Sequence, residues 1–522
     1  MIGVFFSQGA DQAGRHVLAA VRRSVSAVQA EPVSASALRS VRDTLVVADA
    51  PDSIGDALIC WLHERPRKLV VFGRMPSTLA ALLDYRRDAL PSRWRDMGRS
   101  EPAPPNASRE SRANVQYTAR AAALNVRSWN RPFERFDFTD EWNNLGFGAI
   151  RMDGSIWALA ERVDVPREAE LATVRIDFER CGSYAALWDD VGGSSVLWFN
   201  RAVGPCDSFE WRIVENFLSG YGAQRLPCHP VLSEIPWGAD AAITSRLDCD
   251  EDVESARALW QRYRTLDVPF SLAVHTMTLD NPAHHAILRE LHEAGGALLS
   301  HSATHAPNWG GSYDAALREA VVSASSLLRV TGAVPRYAVS PFHQTPAYAL
   351  QALADAGYDG CIGGIIRNDP EFLLARGGLL DVLPLGFVGH SQQCMLHGAC
   401  MLADGDPLAV YKQAFVLAHE TKTLFGYLDH PFSSRYSYGW SDEGTRGAMH
   451  ERLVEFIRSV AAAPVFMTED EAMDFLQYKS RTQVVADGGT LRAWTRASRP
   501  SLHTLCVEFR GEHMPIEPMV EA

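Results

Sequence analysis

The segment SRLDCDED, Ser245 to Asp252, places four acidic residues in five consecutive positions directly after the apolar run AAIT. Carboxylates crowded in this way repel one another. A solvated turn tolerates them, whereas a metal ion with a catalytic base beside it requires at least two of them. Whether the segment does chemistry therefore depends on which side chains the rest of the chain brings to it.

Other polar side chains follow later predicted strands of the same region. In parallel βα architectures the carboxyl ends of the strands meet on one face, where active sites form. We therefore expect these side chains on one rim: Asp248, Asp250, His275, His301, His305, Ser340, His343, Asp429 and His430.

The segment HSATH provides the second pair of candidate ligands. His301 and His305 lie four residues apart, and at the start of a helical turn both imidazoles face the same way. With a carboxylate from an upstream strand end they make a set of three protein ligands that leaves a position for water. By contrast, His284, His285 and His292 lie on a predicted helix with no acidic strand end beside them, and we interpret them as surface or core residues.

The elements that must position these residues form three regions. In residues 1–238, strand-like runs such as DTLVVAD and RKLVVFG alternate with the helical pattern IGDALICWLHER, which is typical of a parallel α/β sheet. A polar stretch at about 96–114 predicts a surface loop. The domain is similar to flavodoxin-like domains and has no nucleophile elbow or Gly-rich phosphate loop, so we expect an accessory role.

From 239 to 478 the alternation becomes more regular. About seven βα units in this stretch predict a distorted (β/α)7 barrel. Residues 479–522 contain alternating segments around a Gly-Gly turn and predict a small C-terminal β extension.

Four segments taken in order carry a resemblance to a known family. RLDCDED, HSATH, SPFHQTPAYALQALADAGY and GYLDHP are similar to the motifs of the polysaccharide deacetylase superfamily (NodB homology, carbohydrate esterase family 4), over residues of about 239–473. The resemblance implies a distorted (β/α) barrel, Asp248 as catalytic base and Asp250, His301 and His305 as metal ligands. It further implies His430 as general acid.

The chain departs from the family pattern at two of these motifs. Cys249 separates the two aspartates that are adjacent in the family, so Asp250 as base and Asp252 as ligand stay open as alternatives. The family's Arg-Pro-Pro is Ser340-Pro341-Phe342 here, and Arg246 is the predicted substitute for the arginine that orients the base.

The function implied is a metal-dependent hydrolase that removes an N-acetyl group from an acetylated sugar. A divalent ion lowers the pKa of water and polarises the carbonyl, Asp248 takes the proton and His430 protonates the amine. Zinc is the expected ion, although Co, Ni, Mn and Fe suit the same ligands. Hydrolysis of a non-sugar amide and an inactive carbohydrate-binding barrel are the alternatives.

The expected substrate is an acetylated sugar, as a sugar-nucleotide or lipid-linked glycan precursor in polysaccharide biosynthesis. His275, Trp309, Ser340, His343 and Arg435 are the candidate substrate-binding residues. Trp309 is expected to stack on a sugar ring, with packing in the loop as the equal alternative.

Composition narrows the partners and the location. The net charge of −13 argues against a nucleic-acid partner, and no apolar run approaches the length of a membrane span. The nine cysteines contain no CxxC pair, which is typical of a reducing compartment, and the N-terminus has no export signal. We therefore expect a cytoplasmic protein; oligomeric state is open.

Overall fold

The computed structural model describes most of the chain. The described residues are 1–98, 113–127, 129–137, 149–151, 154–205, 207–363, 376–380, 383, 386–433, 435–487 and 489–521. Most of the loop predicted at 96–114 lies outside them.

The N-terminal region alternates strands and helices. Its strands are β1 Ile2–Phe6, β2 Ala30–Pro32, β3 Thr44–Ala48, β4 Lys68–Phe72, β5 Arg86–Arg87, β6 Ala113–Tyr117, β7 Asn130–Pro132, β8 Arg135–Asp137, β9 Ala149–Arg151, β10 Val163–Asp164, β11 Glu170–Ile176, β12 Glu179–Val191, β13 Ser194–Phe199 and β14 Val231–Leu232. Its α-helices are α1 Asp11–Ser24, α2 Gly55–Glu64, α3 Ser77–Leu82 and α4 Ser208–Ser219.

One mixed sheet organises this region, in the order β2-β1-β3-β4-β13-β12-β11-β6-β7. The first five strands are parallel, and their order along the chain is that of doubly wound sheets. From β13 to β7 every pairing is antiparallel. The prediction of a parallel sheet is therefore confirmed for one half and wrong for the other, where hairpins replace βαβ crossovers.

The two halves are covered differently. In the parallel half successive residues of β3 face two separate cores, with Val46 in one and Leu45 and Val47 in the other, so both faces are buried. In β6, Ala113, Val115 and Tyr117 join one core, whereas Gln116 on the opposite face is exposed. The antiparallel half thus has a solvated face at β6, while β12 is still covered by the second core through Ala186 and Trp188.

The second region contains the predicted βα units. Its elements are β15 Ala241–Cys249, α5 Arg257–Thr265, β16 Ser271–Val274, α6 His285–Glu293, β17 Ala297–Ser300, α7 Tyr313–Thr331, β18 Tyr337–Val339, α8 Ala347–Asp355, β19 Gly360–Gly363, β20 Gly378–Leu379, β21 Val388–Ser391, β22 Cys394–Met395, α9 Ala409–Thr421, β23 Phe425–Asp429, α10 Glu443–Val460, β24 Pro464–Met467 and α11 Glu469–Arg481.

Parallel pairings, together with one direct chain connection, arrange these strands in a ring. They run from β15 through β16, β17, β18 and β19 to β21. The chain then continues from β21 into β22, which pairs with β23, and β23 pairs with β15. Mixed α/β architecture with parallel sheets is therefore confirmed.

The strands of this ring enclose an apolar layer of side chains, with a polar layer next to it. Ala242, Leu299 and Ile362 form the apolar layer with residues of α11. Farther along β15, Arg246 and Asp248 are buried above it. Alternate residues of a strand share a face, so Ala242, Arg246 and Asp248 of β15 all face the enclosed interior. Along this face the side chains change from apolar to charged within a few residues.

The C-terminal strands pack onto the rest of the chain. They are β25 Thr482–Asp487, β26 Thr490–Thr495, β27 Leu505–Phe509, β28 Glu512–Ile516 and β29 Met519–Val520. The hairpin of β27 and β28 pairs with β14 of the N-terminal region, and α11 runs through the predicted boundary at 478. The three domain limits stay predictions.

Two observations concern membrane-spanning helices and the state of the cysteines. In the part of the chain that is described, no helix combines the length and hydropathy needed to cross a membrane. The described cysteines are all free thiols.

A buried carboxyl lies in the polar layer. Glu469 begins α11 after a capping box formed by Thr468 and Glu471. One of its carboxyl oxygens accepts a hydrogen bond from Gln392, and the other has no hydrogen-bond partner. Burial raises the pKa of Glu469 to about 7, although the charge of Arg246 opposes the rise.

Glu469→Gln is expected to change how stability depends on pH. The folded-state pKa lies above the usual 4.5, so the stabilisation that protonated Glu469 provides is lost as the pH rises through about 7. Between pH 5.5 and 8.5 the wild type should lose about 2 kcal/mol relative to the variant in the free energy of unfolding. Urea unfolding at both pH values measures this, with the exposed Glu293→Gln as control. An identical pH dependence in wild type and Glu469→Gln would show that the carboxyl is ionised in the folded protein.

Candidate metal centre and active site

Three side chains converge just beyond the end of β15. Oδ1 of Asp250 lies 3.6 Å from Nε2 of His301 and 3.3 Å from Nε2 of His305. The two Nε2 atoms lie 3.1 Å apart. The structure thus brings together the three predicted ligands, with their candidate ligand atoms all within 4.8 Å of one another.

The turn between the two histidines is not the helical turn that we expected. His301 follows β17 directly, and both Ser302 and His305 have left-handed backbones, with φ of 64° and 54°. Oγ of Ser302 accepts the N–H of His305 at 2.9 Å. Glu319 of α7 accepts two further N–H groups of the turn at 2.9 and 2.8 Å. A tight, buttressed turn, rather than helical periodicity, makes the imidazoles converge.

The hydrogen bonding of these groups fits a cation. Oδ1 of Asp250 is buried and has no hydrogen-bond partner, which is costly for a carboxylate unless a cation compensates it. Nδ1 of His301 lies 3.1 Å from the carbonyl oxygen of Val339. That carbonyl accepts only an N–H, so the lone pair of neutral His301 is on Nε2, which faces Asp250.

The charges of the cluster are coupled. Burial lowers the pKa of His301, but the carboxylates of Asp250 and Asp248 outweigh it and raise the pKa. Burial raises the pKa of Asp250, but the charges of His301 and His430 outweigh it and hold the pKa well below its usual range. Burial, together with the charge of His301, lowers the pKa of His305 to about 4. An ionised carboxylate beside a neutral imidazole is the protonation state that binds a divalent metal.

Asp248 forms a two-pronged ion pair with Arg246. Nε and Nη2 of Arg246 donate to the two carboxylate oxygens at 2.6 and 3.2 Å, and both side chains are buried. Burial raises the pKa of Asp248, but the charge of Arg246 holds it well below its usual range. The arginine predicted to orient the base therefore contacts it from two residues earlier on the same strand.

His430 faces the cluster from the end of β23. Its Nε2 lies 3.7 Å from Oδ2 of Asp250, and its Nδ1 lies 2.8 Å from Nε2 of His397. Burial and the charge of His430 lower the pKa of His397 to about 4. His397 is therefore neutral at neutral pH and accepts the Nδ1–H of His430.

Two residues of this arrangement escaped the sequence reasoning. His397 follows a strand of only two residues, and Tyr438 lies in a loop, so neither had a strand-end signal. The hydroxyl of Tyr438 donates to Oδ2 of Asp250 at 2.8 Å, and its ring stacks on His430 at 4.0 Å. Tyr438 thus touches both the candidate ligand and the candidate acid.

Asp429 is not available as a ligand. Its Oδ2 lies 2.9 Å from Nε2 of His450 and 3.5 Å from Arg446. Its Oδ1 accepts the backbone N–H of His430 at 2.8 Å. Asp429 is fully buried and positions the backbone that carries His430.

Three of the predicted substrate residues lie near the cluster. Nδ1 of His275 lies 3.2 Å from the carbonyl oxygen of Asp250, and its Nε2 has no hydrogen-bond partner. Burial lowers the pKa of His343 to about 3, and the charge of Asp248 opposes this shift. Arg435 is exposed on the rim, 3.3 Å from Glu251.

The other two predicted substrate residues are buried. Trp309 is fully buried and packs with Ala316 and Leu350, while its indole N–H donates to a backbone carbonyl. The expected stacking of Trp309 on a sugar is therefore wrong, because a loop position gave no sign that α7 and α8 would cover the ring. Ser340 is also fully buried, with Oγ 3.3 Å from the Cys361 sulfur, and lies beneath the site rather than facing a substrate.

Asp252 and His284 lie near each other outside the cluster, with Oδ1 of Asp252 3.7 Å from Nε2 of His284. Asp252, the alternative ligand, accepts the N–H of Glu254 and is half-exposed. His284 and His285 each contact a backbone carbonyl oxygen of the preceding turn, at 2.9 and 2.8 Å. This geometry favours Asp250 over Asp252 in the cluster.

Comparison with known proteins gives matches among solved structures alone. No family model and no curated protein matches the chain. A putative polysaccharide deacetylase from Mycobacterium smegmatis is 15% identical, with 51% of this chain and 98% of that chain covered and a TM-score of 0.37. The family 4 domain of a xylanase from a Trinervitermes trinervoides hindgut metagenome is 13% identical, with 45% and 90% covered and a TM-score of 0.31.

A third match is a family 4 acetyl xylan esterase from Clostridium thermocellum in complex with a cobalt ion. It is 12% identical, with 44% of this chain and 89% of that chain covered and a TM-score of 0.30. These structures come from the family that the sequence motifs resemble. Similarity at this level does not define an activity, so the proposals below rest on the site geometry.

His301→Ala is expected to abolish stable metal binding. Removing one of three protein ligands should weaken zinc affinity by at least about 100-fold, more than the loss of an outer-shell partner. Elemental analysis of zinc-incubated, desalted protein measures this, with His292→Ala on the exposed face of α6 as control. Equal zinc in both variants would place the metal elsewhere.

Tyr438→Phe is expected to weaken metal binding without removing it. The variant keeps the ring on His430 and loses the hydrogen bond to Asp250, an outer-shell loss that typically costs about 10- to 100-fold in affinity. Competition with a chromogenic chelator measures the zinc affinity. Tyr436→Phe, two residues away, is the matched control. If the two variants bind zinc equally, the Tyr438 hydroxyl does not support the ligand.

Proposed function

We propose that this protein is a metal-dependent hydrolase that removes an N-acetyl group from an acetylated sugar. The observation that carries the proposal is the position of Asp250. On one side it faces His301 and His305, and on the other it faces His430. A candidate base, Asp248, is held by Arg246 two residues away on the same segment. Ligands, base and acid thus meet at one strand end.

The proposed metal ligands are Asp250, His301 and His305. A divalent ion bound there supplies Lewis acidity for the amide carbonyl and for water. Zinc is the proposed ion, since one carboxylate and two imidazoles suit it, while the same donors also accept Co, Ni, Mn or Fe.

Asp248 is the proposed base. Arg246 keeps the carboxylate ionised and restricts its rotation, because both oxygens are bonded to one planar guanidinium. An ionised, fixed carboxylate accepts a proton from the water that attacks the amide carbon. The carbon–nitrogen bond then breaks, and the nitrogen leaves as an amine.

His430 is the proposed acid for that amine. With Nδ1–H directed to His397, its Nε2 faces the site and carries the proton to be donated. The stacked ring of Tyr438 fixes the plane of the imidazole. The products are acetate and a free amine.

The proposed substrate class follows from the polar rim. Glu251, Ser255, Ser433 and Tyr436 lie on the rim beside Asp250, and hydroxyl and carboxylate groups of this kind bind sugar hydroxyls. A sugar-nucleotide or lipid-linked glycan precursor, processed in the cytoplasm, is the form of substrate we propose.

Two other functions share this geometry. One is hydrolysis of a non-sugar amide, for which the same ligands, base and acid suffice. The other is an inactive carbohydrate-binding barrel, favoured by Ser340 at the position where the resembled family has an arginine. The ion pair of Arg246 with Asp248 counts against the inactive barrel.

Asp248→Asn and His430→Ala are expected to lose turnover while keeping metal. Each removes a proton-transfer group and not a ligand, so activity should fall by at least about 100-fold. Acetate release from acetylated amino sugars, their nucleotide derivatives and acetylated alkylamines measures this, together with zinc content. Asp267→Asn, an exposed carboxylate outside the site, is the control.

The panel also separates the alternatives. Turnover confined to alkylamines would replace the sugar by a non-sugar amide. No acetate from any substrate with the zinc-loaded wild type would favour the inactive barrel, and full activity in both variants would refute the assigned roles.

A further inference from the structure

A groove of about 720 Å³ lies on the N-terminal region, outside the candidate metal centre. Its floor is the solvated face of the antiparallel half-sheet, where Gln116 of β6 pairs with Thr173 of β11. Thr118 and Arg120 contribute to one wall. The volume is typical of sites that bind a ligand of a few rings.

The groove has an excess of positive charge. Its lining includes Arg120, Arg167, Arg175 and Arg180 but only two carboxylates, Asp164 and Glu170. Arg180 forms ion pairs with both carboxylates.

Two arginines of the groove have no carboxylate partner among the described residues. Within the described part of the chain, neither Arg167 nor Arg175 forms an ion pair, although Arg175 donates to the carbonyl oxygen of Phe178. In a chain of net charge −13, such a basic concavity favours an anionic ligand.

The hairpin of β11 and β12 adds an aromatic side chain next to these arginines. Asp177 and Phe178 form its tip with φ of 46° and 70°, a conformation that bulky residues rarely adopt. The side chain of Phe178 is 89% exposed. Since Arg175 lines the groove and is bonded to the carbonyl of Phe178, the hairpin tip that carries this exposed ring is joined to one end of the groove.

We propose that this groove binds an acidic glycan, an extended chain of sugars that carry carboxylates. Separate arginines match carboxylates spaced along a chain, and the threonine and glutamine side chains of the floor match sugar hydroxyls. The exposed ring of Phe178 provides a face for a sugar. Binding here does not depend on the proposed hydrolase activity.

The probe for the test is a fluorescently labelled hexamer of galacturonic acid, and binding is measured by anisotropy at low and high salt. The wild type should bind it saturably, and more weakly as salt rises. Arg167→Gln/Arg175→Gln should bind at least about tenfold more weakly, since bonds to charged groups are lost. Phe178→Ser should also bind more weakly. Arg492→Gln, an exposed arginine of the C-terminal sheet, should bind like the wild type.

Ligand controls complete the test. The methyl ester of the hexamer should bind at least about tenfold more weakly, because its carboxylates are uncharged. Circular dichroism confirms that the variants are folded. No binding of the hexamer at low salt, or equal affinity in the double arginine variant, would overturn the proposal. Tighter binding of single-stranded DNA or of vesicles with anionic phospholipid would overturn it too. Metal-depleted protein should bind the hexamer with the same affinity, because the groove and the proposed hydrolase site are independent. Loss of glycan binding would therefore count against the groove proposal and not against the proposed hydrolase.

Discussion

Two carboxylates at the end of one strand, Asp248 fully buried and Asp250 half-buried, constrain the whole site. Asp248 and Asp250 lie two residues apart, and each must be compensated because an isolated charge is costly to bury. Arg246 neutralises Asp248 through two bonds. Around Asp250 stand imidazoles and the hydroxyl of Tyr438, which leave one buried oxygen without a hydrogen bond. The proposed divalent ion between Asp250 and the histidines would complete the balance.

The scaffold supplies these compensating groups from separate strands. Alternation along β15 places Arg246 and Asp248 on the same enclosed face above the apolar layer. The turn after β17 is held by Glu319, so that His301 and His305 converge without helical geometry. The end of β23 brings His430 to the opposite side, where His397 and Tyr438 set its orientation. Each catalytic group therefore has a partner from another element that fixes its direction.

Sequence reasoning reached the parts of the site that depend on local pattern. Strand periodicity and polar strand ends predicted that Asp250, His301, His305 and His430 would meet, and they do. Tyr438 and His397 were missed because their roles come from packing between distant segments. For the same reason the burial of Trp309 was not foreseen. The antiparallel half of the N-terminal sheet was misjudged because apolar runs do not reveal the direction of pairing.

X-ray absorption spectroscopy of the zinc-reconstituted protein tests the central claim most directly, since it reports the ligands themselves. The account predicts one zinc ion whose shell contains two imidazole nitrogens, with the remaining donors oxygen, at distances of about 2.0–2.2 Å. The His301→Ala protein should lose that signature. A zinc shell with sulfur donors, or with no imidazole, would contradict the account, because Asp250 would then need another source of compensating charge.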